Sequence, residues 1–171
     1  MKLIKKLLIC FIITFTVGCV PRNNFGQVRP NKIRFSIKNC KDEKVFSKID
    51  TSIIYISEFE RQNSRSKYIN AYKFYSNNRI AFFTDIVLDK LEELNPEKAH
   101  MGYYSTCFES NKIQIAFYHV QSNIYISRKE FEIRNDSLFI KTLESPQSAL
   151  VNEIYLKKKL SKNELIFKPD W

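Results

Sequence analysis

The sequence predicts a mainly β domain over residues 33–171, an antiparallel meander forming a small barrel or a two-sheet sandwich with one short helix. Three observations predict it. Apolar and polar residues alternate with period two along most of the segment. Strand-favouring aromatic and β-branched residues abound, with 14 Phe and 9 Tyr in the chain. The alternating runs are broken by asparagine-containing pairs of the kind that turn hairpins.

The first strand is read at Ile33, Phe35 and Ile37, which alternate with Arg34, Ser36 and Lys38. Strands over 52–57, 67–76 and 79–84 follow, the last two joined at Asn77-Asn78. With only 3 Gly in the chain, asparagine has to supply the positive φ that tight turns need. Over 85–95 the period changes: Val87, Leu88, Leu91 and Leu94 are spaced for an amphipathic helix, with Thr84 or Asp85 as N-cap and Pro96 as the stop. That helix is expected to plug one end of the sheet. Strands over 101–109 and around Ile113, Ile115 and Phe117 flank a turn at Ser110-Asn111. Within 124–134 the apolar parity flips, from Ile124 and Ile126 to Phe131 and Ile133. A one-residue slip would send every side chain to the other face, so a bulge is expected near 127–129. Strands over 137–142, 152–160 and 164–168 complete the meander, with turns at Asn135-Asp136 and Lys162-Asn163.

Ahead of this domain lie two segments of different character. Lys2, Lys5 and Lys6 precede an apolar run from Leu7 to Val17, short of the about 20 residues that a membrane-spanning helix needs. This is the layout of an exported leader, expected over 1–18. Small Gly18 before Cys19 resembles the lipobox of bacterial lipoproteins, although Thr16 stands where Leu, Val or Ile is usual. The resemblance implies cleavage before Cys19 and lipidation of its sulfur. Two or three acyl chains hold a protein on a bilayer where one is marginal. Residues 19–32, with Pro21, Gly26 and Pro30, read as a lipidated flexible tether. A chain of about 150 residues remains, enough for one self-sufficient core.

Of the 4 Cys, Cys10 would leave with the leader and Cys19 would take lipid. Cys40 and Cys107 are then a candidate disulfide in an oxidising exported compartment, or two buried thiols. A bond would close a loop of about 70 residues, worth roughly 4 kcal/mol. The lipobox, the asparagine-based hairpins and the run from Tyr72 to Asn78 resemble the small lipoproteins of Bacteroidota, some with lipocalin-like barrels. That resemblance implies a cell-envelope location, an outer membrane lipoprotein, and no particular activity. Val20 in place of an aspartate after Cys19 favours the outer membrane, and the lack of an acidic run there favours its periplasmic face.

No pattern of residues carries recognisable chemistry. His100 and His119 have no partner at metal-ligand spacing, no serine lies in a nucleophile elbow, and no glycine-rich loop could cradle phosphate. Neither a metal nor another cofactor is expected, and the reading is non-enzymatic. Lys157, Lys158, Lys159 and Lys162 make the C-terminal part basic, suited either to an anionic surface or to protecting a sheet edge. Export argues against nucleic acid despite the net charge of +10. Aromatics such as Tyr68, Tyr72, Phe74, Phe82, Tyr103, Tyr104, Phe117 and Tyr118 either fill the core or line a cavity for an apolar ligand. The expected function is a lipid-anchored binding or scaffolding module, its partners being the membrane and a small hydrophobic ligand or an envelope protein. A lipocalin-like carrier of a small hydrophobic ligand is the alternative.

Overall fold

Alternation with period two puts every second side chain on one face, and a sheet that curls until its first and last strands pair hides that face completely. This happens here. The computed structural model describes residues 21–30, 42–60, 67–87, 90–106, 112–119, 125–142 and 152–171. A one-turn helix α1 (Glu43–Phe46) precedes eight strands: β1 (Ile53–Glu60), β2 (Lys67–Tyr75), β3 (Arg79–Ile86), β4 (His100–Ser105), β5 (Ile113–His119), β6 (Tyr125–Arg134), β7 (Ser137–Thr142) and β8 (Asn152–Lys159). Each strand pairs antiparallel with the next in sequence, and β1 closes on β8 through Ile53 opposite Lys159 and Tyr55 opposite Lys157. Of the two architectures the sequence allowed, the closed barrel is the one adopted.

Asparagine does turn the hairpins. Asn77 and Asn78 both have φ of 61° between β2 and β3, and Asn135 has φ of 51° in the link from Arg134 to Ser137. Buried Asn78 also donates its amide to the Tyr104 carbonyl at 3.0 Å, tying the β2–β3 turn to β4. Glycine is needed at Gly102 for space: a Cβ there would stand 2.7 Å from the Phe117 ring.

The barrel interior is a single apolar cluster. Tyr55, Tyr72, Phe74, Ile80, Tyr104, Ile113, Ile115, Phe117, Phe131, Leu138, Ile140 and Tyr155 all contribute to it, and Val45 of α1 joins them. The outer wall is apolar too along β1–β5, and three segments cover it. Leu94 and Ala99 pack on Ile69, Ala71 and Phe83, with Leu160 on the same cluster. Val28 and Trp171 cover Met101, Tyr103, Ala116 and Tyr118.

Several expectations need correction. The tether is folded over 21–30, because Asn23 accepts from Phe25 N at 3.1 Å and Gln27 N at 2.9 Å, rounding a turn with Gly26 at φ 74°. Arg29 then fastens it: its guanidinium donates to the carbonyls of Pro96, Glu97 and Ala99, pairs with Asp170 at 2.9 Å and lies 4.8 Å from the Trp171 ring. In place of an amphipathic helix over 85–95, Asp85 and Ile86 end β3, and 3-10 turns form at Leu91–Leu94 and Pro96–Lys98. The proline and Asn95 favour short capped turns, with the Asn95 side chain accepting from Glu97 N at 3.0 Å. Lys162–Leu165 is likewise a 3-10 turn closed by a capping box from Ser161 to Glu164, so 164–168 forms no strand.

No bulge occurs at 127–129. The β5–β6 register runs unbroken from Ile113 opposite Phe131 to His119 opposite Tyr125. The register shift falls instead between β2 and β3, where Asn70 faces Thr84 and Asp85, and Asp85 takes φ of 57°. The expected strand at 33–37, the turn at Ser110-Asn111, the lipidation site Cys19 and the pair Cys40 and Cys107 lie outside the described residues.

Candidate functional site

The parity flip in β6 has a different cause from a bulge. Ile126 is on the outer face, packed against the cluster of Tyr103 and Tyr118, while Phe131 and Ile133 face inward. The inward positions between them are therefore Ser127 and Lys129. A lysine among inward-facing residues is expensive to desolvate, and it stays there only with partners.

Those partners come from β2 and β8. Lys129 Nζ donates to the Tyr72 hydroxyl at 3.1 Å and stands 3.9 Å from Glu153 Oε1. The Tyr72 hydroxyl donates to that of Tyr155, which donates in turn to Glu153 Oε2 at 2.8 Å. The ammonium is also 5.7 Å from the ring centres of Tyr72 and Phe82, a cation on two aromatic faces. Burial dominates the electrostatics. It lowers the pKa of Lys129, with Glu153 opposing, and it raises those of Tyr72 and Tyr155, with Glu153 adding to both. The phenols are thus locked as donors at neutral pH, and the network holds one cation against one anion.

Below this network the barrel is filled. Tyr72 is fully buried and stacks on Phe82 at 4.5 Å, with Phe131, Tyr155 and Phe117 at 4.9, 4.8 and 5.7 Å. Towards the other end Phe74 meets Tyr104 and Tyr55 edge to face at 5.2 and 6.1 Å. Towards the end of the barrel that holds the network, the inward residues Phe82, His100, Lys129 and Glu153 are each half-buried. His100 lies across the Phe82 ring at 6.1 Å, its pKa lowered first by burial and then by Arg29. These four residues and the aromatic floor beneath them form the candidate site, the cup, with one charged pair beside its rings. It presents a π face, a hydrogen-bonding cation and an acceptor, which suits recognition of a small molecule having an apolar body and a polar end.

The basic residues picked out from sequence do not form one face. Lys157 and Lys159 share the parity of inward Tyr155, at the end of the barrel remote from the cup, and Lys158 has the opposite parity. Lys157 is 3.9 Å from Asp136, and Lys162 sits exposed in the last 3-10 turn. Since β8 is bonded on both sides, edge protection does not explain these lysines. The aromatics divide in the same way: Tyr72, Phe74, Phe82, Tyr104 and Phe117 belong to the interior, Tyr103 and Tyr118 to the outer wall. Sequence reasoning missed Lys129 and Glu153. The signal was the polar Ser127 and Lys129 breaking an otherwise apolar alternation.

Among the described residues no group of His, Cys, Asp and Glu could hold a metal ion, and no helix is long and apolar enough to cross a membrane. No family model, curated protein or solved structure matches this chain.

Proposed function

We propose that this chain is a lipid-anchored cell-envelope protein whose barrel acts as a non-enzymatic binding module, taking a small amphipathic ligand in the cup. The observation that carries the binding role is the cup itself: half-buried Phe82, His100, Lys129 and Glu153 above a closed aromatic floor. Lys129 is held by the Tyr72 hydroxyl and Glu153 by that of Tyr155, an anchored arrangement that suits a recognition element better than a nucleophile or proton shuttle. A lipocalin-like carrier of a hydrophobic ligand is the second reading, favoured by the closed eight-stranded meander. The filled waist limits such a ligand to the end that holds Lys129 and Glu153. The anchoring role rests on the leader and on Gly18-Cys19, with the periplasmic face of the outer membrane as the site.

Two measurements test these roles separately. Native mass spectrometry of the protein purified from its own cells should find a bound small molecule, and Lys129→Met should lose it while keeping the barrel's circular dichroism. An empty wild-type protein, or turnover of a substrate by it, would count against the module. For the anchor, Cys19→Ser should move the protein from the detergent phase to the aqueous phase and leave its size unprocessed. Unchanged partitioning would remove the lipid anchor from the reading.

A further inference from the structure

Outside the barrel, away from the cup, a groove of about 470 Å³ runs between the start of β1 at Thr51, the β2–β3 hairpin and the C-terminal segment 165–169. Three cations line it, Lys73, Arg79 and Lys168, and no carboxylate does. Lys73 is only 3% exposed although it lies on the outer face of β2. Its ammonium donates to the Thr51 carbonyl at 2.9 Å and lies 5.2 Å from the Tyr75 ring. The acids whose fields reach it are Asp50 and Glu164, and both are engaged elsewhere. Asp50 accepts from the Ser52 amide and hydroxyl at 2.8 and 2.6 Å, and Glu164 caps the Ser161 amide at 2.6 Å.

Neither Arg79 nor Lys168 forms an ion pair among the described residues. A second observation points the same way: Tyr75, 7% exposed, lines the groove, and its buried hydroxyl has no hydrogen-bond partner among the described residues. A buried lysine whose ammonium has no ion-pair partner among the described residues, two more cations at the surface beside it and an orphaned phenol are costly in a structural wall, and all are relieved by an anion with several acceptor oxygens. A carboxylate has one charge to share among three cations. A phosphate has up to two charges and three free oxygens, and Phe167 and Leu165 give an organic substituent an apolar wall.

We propose that this groove binds a phosphate-bearing ligand, its phosphate held by Lys73, Arg79 and Lys168. A soluble phosphate ester and a phospholipid headgroup share that chemistry, and the experiment separates them. Isothermal titration of the purified full chain with glycerol 3-phosphate, with acetate as the control anion, reads the first source. Sedimentation with phosphatidylcholine vesicles with and without phosphatidic acid reads the second. Saturable binding in either arm is expected. It should weaken about tenfold or more in the Arg79→Gln, Lys168→Gln double variant, whose changes lie at the surface, and persist in Lys141→Gln on β7. Gain of binding in the vesicle arm alone assigns the headgroup as the source, and binding in the titration assigns the soluble ester. Absence of saturation in both arms up to about 10 mM, equal affinity for acetate, or full affinity in the double variant overturns the proposal.

Discussion

Replacing Tyr72 by alanine should lower the free energy of unfolding by about 3–5 kcal/mol, the largest loss expected from any single truncation in this barrel. The Tyr72 ring is fully buried and sits where four others converge: Phe82 stacked at 4.5 Å, Tyr155 and Phe131 edge-on at 4.8 and 4.9 Å, and Phe117 at 5.7 Å. Removing it leaves a cavity that rigid neighbouring rings cannot close, and strips Lys129 of its 3.1 Å hydrogen bond at the same stroke. Tyr72→Phe separates the two effects. It keeps the ring and should cost about 1–2 kcal/mol, while loosening Lys129 and so weakening whatever the cup holds. Urea unfolding with an unchanged m-value is the measurement. A loss below about 1 kcal/mol for the alanine variant would mean that the waist of the barrel is not packed through this ring.

The parts of the fold that were legible in the sequence are those decided locally. Period two predicts strands at 67–76, 79–84 and 137–142, and β2, β3 and β7 form there because one face of each is buried, while the pairs at 77–78 and 135–136 are readable as turns because few residues besides glycine and asparagine accept positive φ. What was not legible depends on distant residues. Leu94 has helical spacing with Leu91, yet it is buried by Ile69 and Phe83 of other strands, which capture it in a single 3-10 turn. Residues 21–30 have the composition of a linker, and it is the fork of Arg29, reaching the carbonyls of 96–99 and Asp170, together with the Asn23 amide on Glu97 and buried Val28, that makes them part of the wall. The cup was hidden for a related reason. Lys129 and Glu153 lie far apart in sequence, and an inward lysine resembles a register error until its partner is in view.

Lys73 offers a prediction in which stability and binding move in opposite directions. Desolvation holds its pKa at about 8, below the ordinary 10.5 of a lysine. Between those values the unfolded chain still carries a proton that the folded chain has released, so raising the pH through that window favours the fold. Below about 8 both states are protonated, and the folded state bears the whole cost of a buried ammonium, up to about 3 kcal/mol. The buried phenols Tyr72, Tyr75 and Tyr155 act the other way, since their raised pKa values make the fold lose stability once the unfolded tyrosines ionise above about 10. The useful comparison is therefore wild type against Lys73→Met at pH 7 and pH 9.5. Methionine keeps the stem's volume and leaves the Thr51 carbonyl without its donor, so it should stabilise the protein at pH 7 by about 1–2 kcal/mol, with the advantage shrinking towards zero at pH 9.5. In the presence of glycerol 3-phosphate the order should invert, because the ligand would stabilise the wild type alone by mass action. A methionine variant whose advantage is the same at both pH values would show that the ammonium is not the source of the cost. A lysine that lowers the stability of the free protein and raises that of the complex is the behaviour expected of a residue kept for its ligand.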